Sequence, residues 1–185
     1  MTTMTKGTSG AWDVSSRTIV YAAIGAALYG VTAVFQIALP GTANVSLRPS
    51  FALVTFFGVA FGPIVGLFVG LVGNAIADQI SGWGLLTSWN WSIANGLAGF
   101  IAGWWALSMM RGQNRLVNAA IASAIGVVIG FLFVFTDIWL GTAENFGVAM
   151  SDNYIPVVVG DLIVAVILTP ILVAAWEPIR ESMGR

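Results

Sequence analysis

The 185-residue chain contains no cysteine and no histidine. That excludes disulfides, thiol catalysis, iron–sulfur ligation and Cys/His zinc sites. It also excludes any nucleophile activated by a Ser–His or Cys–His pair. The stretch Gly7-Thr8-Ser9-Gly10 loosely has the shape of a nucleophile motif, but it lies in a polar arm with no histidine to activate it. Charge is scarce as well: 7 Lys and Arg and 8 Asp and Glu make up only 8% of the residues. Seven cations cannot build a basic patch for nucleic acid. So few charges cannot cover a soluble domain of this size, and a chain this apolar is not disordered. There is no G-x-x-x-x-G-K-[ST] loop, so the chain does not hydrolyse ATP by itself. No cofactor and no metal are expected.

What is abundant is apolar surface. Hydrophobic residues make up 58% of the chain, and the mean hydropathy is +0.91. An all-α integral membrane protein is the reading that remains. Apolar runs occupy residues 18–39, 50–77, 91–110, 116–136 and 154–176. Each is long enough to cross a bilayer as a helix at about 1.5 Å per residue. None alternates as a barrel strand does.

The second run contains Phe61-Gly62-Pro63, and it reads either as one helix or as two. Charge placement decides between them. With six helices, Lys6, Arg17, Arg111, Arg115, Arg180 and Arg185 lie inside and only Arg48 lies outside. With five, only Lys6 and Arg17 lie inside. The expectation is therefore a six-helix transmembrane bundle with both termini cytoplasmic. Residues 1–16 form an N-terminal arm, 17–177 the membrane domain, and 178–185 a C-terminal tail. The arm is polar with no apolar core, so no signal peptide is expected in it. Three outer loops are expected, at 40–49, 78–90 and 137–153.

Polar groups within apolar spans are costly and point to function. Gln36 falls near the outer end of helix 1. Asn74 and Asp78 fall in the outer half of helix 3, and Trp91 and Asn95 lie one turn apart near the start of helix 4. Asp137 ends helix 5, and Asp161 lies about 10 Å below the start of helix 6. Trp89, Trp83, Trp139 and Phe146 sit in the outer loops. Gln36, Asn74, Asp78, Trp89, Trp91, Asn95, Asp137 and Asp161 are therefore the candidate binding residues of an outward cup. The base of the cup is read as apolar, with no matching polar set in the inner half.

Gly62, Gly66, Gly70, Asn74 and Asp78 recur every fourth residue, as a packing seam that opens into the cup. Ala22/Ala26 and Ala23/Ala27 form two overlapping small-residue pairs on helix 1. They suit either packing within the chain or docking of a second protein near the cytoplasm.

Phe61-Gly62-Pro63-Ile64-Val65-Gly66, then Gly70, Gly73-Asn74 and Asp78, resemble a helix 2–3 pattern of known proteins. Trp91 with Asn95-Gly96-Leu97-Ala98-Gly99 resembles their helix 4 pattern. With the helix-1 alanine pairs, the chain looks like the S component of an energy-coupling-factor vitamin transporter, of the riboflavin-type and uncharacterised group. The resemblance implies capture of a vitamin or related micronutrient from outside a bacterial plasma membrane. It implies docking through Ala22, Ala23, Ala26 and Ala27 onto a coupling subunit served by two ATPases. It names no substrate.

Other readings weighed are a self-contained small permease or exporter, a ligand-free scaffold, and an intramembrane aspartyl enzyme. The last is suggested by Gly160-Asp161 with Asp78 and Asp137, but the first Gly of G-x-G-D is missing.

Overall fold

The computed structural model describes residue 12 and residues 14–42, 45–108 and 114–183. The expectations resting on Lys6, Gly7–Gly10, Arg111 and Arg185, with most of the N-terminal arm, lie outside the described residues.

Helix α1 runs Ser16–Thr32, with Ser15 as its N-cap accepting from Thr18 N. It ends well before Leu39, where the apolar run ends. The chain turns after Thr32 and forms strand β1, Ile37–Ala38. This pairs antiparallel with β2, Ser46–Leu47. The hairpin is tied by Thr42 Oγ1, which donates to Leu39 O at 2.8 Å and accepts from Val45 N at 3.2 Å. Gln36 is therefore a hairpin residue and not a helix residue. Local hydrogen bonding within the hairpin satisfies backbone groups that a longer helix would have satisfied otherwise.

The second apolar run does divide. Helix α2 covers Phe51–Phe61 and α3 covers Pro63–Ile80. Gly62 sits between them at φ 108°, a conformation open to glycine, and Pro63 starts the next helix at the position that needs no N–H donor. Gly62 is thus the break itself and does not belong to the packing seam. The seam starts at Gly66.

Helix α4 is Trp89–Ser108 and α5 is Arg115–Gly130. The chain then tightens into a 3₁₀ segment, Phe131–Thr136, followed by the short α6, Asp137–Leu140. The expected loop at 137–153 is mostly helical: α6, then α7 (Phe146–Val148), then a π-helical stretch, Ala149–Tyr154. Helix α8 is Ile155–Ser182, so the tail expected from residue 178 begins as the last turn of this helix.

Among the described residues, three helical stretches are long and apolar enough to cross a membrane: Pro63–Ile80, Arg115–Leu140 and Phe146–Ser182. Their outward faces agree with that. Ile155, Val159, Ile163, Ile167 and Ile171 are all exposed at four-residue spacing along α8. In water such a stripe is a liability, but in lipid it is the normal surface. Inside, α3 packs between α1 and α4. A Cβ on Gly66 would run into the backbone of Gly99, and one on Gly70 into the backbone of Asn95 and Gly96. The glycine stripe is therefore a close helix–helix seam, as the spacing suggests.

The four helix-1 alanines do not share a face. Ala22 and Ala26 are buried within the chain, against α3, while Ala23 and Ala27 are exposed. Two pairs offset by one residue point about 100° apart on a helix, so only one pair can meet an outside partner. Ala22 and Ala26 are withdrawn from the docking set for that reason. The end of the bundle away from the hairpin is also less uniformly apolar than expected. Thr55 and Thr169 share a buried hydrogen bond of 2.6 Å, and Asn118 and Ser123 are buried on α5.

Candidate substrate-binding site

The helix ends near the hairpin surround a cavity of about 490 Å³. This is within the usual range for small-molecule sites. Its walls come from several elements: Tyr29 near the end of α1, Asn74 and Asp78 near the end of α3, Trp89 to Asn95 at the start of α4, Phe131 and Asp137, and Val157 and Asp161 at the start of α8. Seven of the eight candidate residues line it: Asn74, Asp78, Trp89, Trp91, Asn95, Asp137 and Asp161. The eighth, Gln36, holds a lining residue in place.

That residue is Arg48, just after β2. Its Nε donates to Gln36 Oε1 at 2.9 Å and its Nη1 donates to Asn74 Oδ1 at 2.8 Å. Its Nη2 lies 3.6 Å from Asp78 Oδ1. Asn74 Nδ2 in turn donates to Asp78 Oδ2 and to Ser92 Oγ, both at 3.1 Å. Arg48 therefore ties the hairpin to α3, and Asn74 passes the network on to α4. A buried cation and carboxylate are tolerated only when hydrogen-bonded on several sides, as both are here.

The second network centres on Asp137. Its Oδ1 accepts from Asn90 Nδ2 at 2.7 Å and from Thr142 Oγ1 at 3.0 Å. Its Oδ2 accepts from Asn153 Nδ2 at 2.8 Å and from Trp91 Nε1 at 3.0 Å. With four donors on two oxygens, its strong acceptor positions are filled. Asp137 consequently acts as a positioning residue. It fixes the Trp91 ring, whose centroid lies 6.5 Å from that of Phe131 in an edge-on arrangement. Asn95 is also held from two sides. It accepts from Tyr29 Oη at 2.9 Å and donates to Trp91 O at 2.9 Å.

Asp161 differs from both of these carboxylates. It is 5% exposed and lines the cavity, yet among the described residues it has no hydrogen bond and no ion pair. Asp78, Asp137 and Asp161 do not form the facing carboxylate pair of an aspartyl enzyme. Asp78 is engaged by Arg48, and Asp137 by neutral donors.

Below the cavity the core closes. Phe51, Val54, Val65, Val69, Val127 and Val173 are buried there, and none of them lines the cavity.

Tyr29, Arg48, Asn90, Thr142 and Asn153 also line the cavity and were not among the candidates. Arg48 did carry a signal: on the six-helix expectation from charge placement it is the lone outward cation. Tyr29 sits in an apolar helix and Asn153 in an apparent loop, and neither stands out by spacing.

The family comparison matches this architecture. The model of the family described as ECF-type riboflavin transporter, S component, matches residues 13–177. The chain belongs to this S-component family. The family is one of transporter subunits and not of enzymes. A curated relative from Vibrio atlanticus (strain LGP32), described as a UPF0397 protein, is 40% identical over 104 residues, covering 56% of this chain and 54% of the relative. The match thus spans about half the length of that relative. No solved structure matches. As an S-component family member, the chain is a membrane protein.

Proposed function

We propose that this chain is the substrate-capture subunit of an energy-coupling-factor importer. It binds a vitamin-like small molecule in the cavity between α1, α3, α4 and α8. The observation that carries this reading is a preorganised polar and aromatic pocket at one end of an S-component bundle, above a core that is mostly apolar. A self-contained permease needs a polar route through the membrane. Among the described residues, buried Val54, Val65, Val69, Val127 and Val173 interrupt any such route beyond the cavity, and the polar groups buried in the core, Thr55, Thr169, Asn118 and Ser123, do not line the cavity.

In this reading the cavity faces outward and both termini face the cytoplasm. Arg115, Glu177 and Arg180 cluster at the end away from the cavity, with Arg115 Nη1 2.8 Å from Glu177 Oε1. Cations at that end fit the positive-inside rule. Substrate then reaches the cytoplasm only through a transmembrane coupling subunit and its two ATPases, in a bacterial plasma membrane.

The docking face is narrowed to Ala23 and Ala27, which lie exposed on α1 beside Ile24 and Leu28. The Ala23→Trp and Ala27→Trp variants are expected to keep ligand affinity but lose ATP-dependent uptake in liposomes holding the coupling subunits. The Ala22→Trp variant, by contrast, places bulk inside the bundle and is expected to damage folding and binding together. Normal uptake by both exposed-face variants excludes this face as the docking surface.

A further inference from the structure

The Arg48 guanidinium is engaged by Gln36, Asn74 and Asp78. The Tyr29 hydroxyl is given to Asn95, and the Trp91 indole N–H to Asp137. Among the described residues, Asp161 is the one carboxylate of the cavity that accepts no hydrogen bond and makes no ion pair; it is 5% exposed and lines the cavity from α8.

Formal charge points the same way. Arg48 offsets Asp78, and four neutral donors solvate Asp137. Asp161 feels the charge of Arg48 at a distance but receives no hydrogen bond and no ion pair. A buried carboxyl without a partner is too costly to persist as a charge unless something else supplies donors. The flat faces of Trp91 and Phe131 form an aromatic corner in the same cavity. Cations and amino-substituted rings are favoured over such faces.

We infer that the ligand carries a cationic or amino-bearing heteroaromatic end that seats its N–H donors on Asp161. This deepens, and rests on, the reading of the cavity as a small-molecule site. It assigns the substrate class by charge: planar and donor-rich rather than anionic.

Three planar probes of similar size test it: 4-aminoquinolinium, quinoline and quinoline-4-carboxylate, each titrated into the purified full-length protein in detergent at neutral pH. The expected order is 4-aminoquinolinium tightest, by about tenfold or more over quinoline, with the carboxylate weakest. The Asp161→Asn substitution is expected to erase the preference, and a thermal unfolding midpoint close to that of the wild type shows that the variant is folded. A preference unchanged in Asp161→Asn overturns the seat on Asp161. Tighter binding of the carboxylate overturns the charge class while leaving the cavity reading intact. Absence of 4-aminoquinolinium binding overturns the inference, and the cavity reading falls with it only if native mass spectrometry also finds no small molecule on the protein.

Discussion

Replacing Asp137 with Ala is expected to abolish ligand binding and to lower the thermal unfolding midpoint by about 10 °C or more. The side chain joins α4, the 142 turn and the π-helical stretch through four hydrogen bonds. Removing it orphans the donors of Trp91 and Asn153, while Asn90 Nδ2 keeps only Thr136 Oγ1 and Thr142 Oγ1 only the Asp137 backbone oxygen. Each buried orphan costs about 1–3 kcal/mol, so even partial relaxation leaves a loss of several kcal/mol. The Trp91 ring loses its anchor as well, which loosens the aromatic corner. The Asp137→Asn variant presents one oxygen and one amide nitrogen, so it keeps about half of these bonds and is expected to fall between wild type and Ala. Glu144→Ala, in the exposed part of the same segment, is expected to change little. Intrinsic tryptophan fluorescence against temperature checks all three. A shift under about 2 °C for Asp137→Ala contradicts the positioning role.

The second large effect is at the glycine seam. Gly99→Leu is expected to yield no folded, monodisperse protein. A Cβ at Gly99 meets Gly66 O, and a Cβ at Gly66 meets Gly99 O. Each helix approaches the other's backbone, so no flexible side chain is available to move aside. Gly99→Ala is expected to be a graded version, costing about 1–3 kcal/mol as the two helices are forced apart. In lipid, close packing of this kind is a main source of helix association, which sharpens the effect. Size-exclusion chromatography of the detergent-purified variants reads the outcome. A monodisperse Gly99→Leu protein with normal ligand affinity contradicts the seam.

Asn74, Trp91, Asn95 and Asp161 were legible in the sequence for one physical reason. Polar groups within apolar spans are expensive, so they gather where they satisfy one another or meet a ligand. Gly62-Pro63 was legible because its backbone preferences oppose a continuous helix. The early end of α1 was hidden, because residues 33–39 are as apolar as the helix before them and the hairpin that takes them is set by distant Ser46–Leu47. Arg48 was seen only as a charge that orients the bundle. Its role depends on the hairpin carrying it back over α3, and no local spacing encodes that. The alanine pairs were legible as small faces, but which face turns inward is decided by α3 packing and not by α1 itself. Asp137 was found as a polar group at a span's end. Its role as an anchor needed the four donors that three other elements bring to it.

The central claim is that this cavity captures one small molecule. Native mass spectrometry of the full-length protein, purified from cells supplied with a mixture of vitamins and their precursors, tests it most directly. The expected result is a single small-molecule adduct on the wild type, absent from Trp91→Ala, whose aromatic wall is gone while the glycine seam is intact. A wild type that never carries an adduct, or an adduct retained equally by Trp91→Ala, contradicts the assignment of this cavity as the binding site.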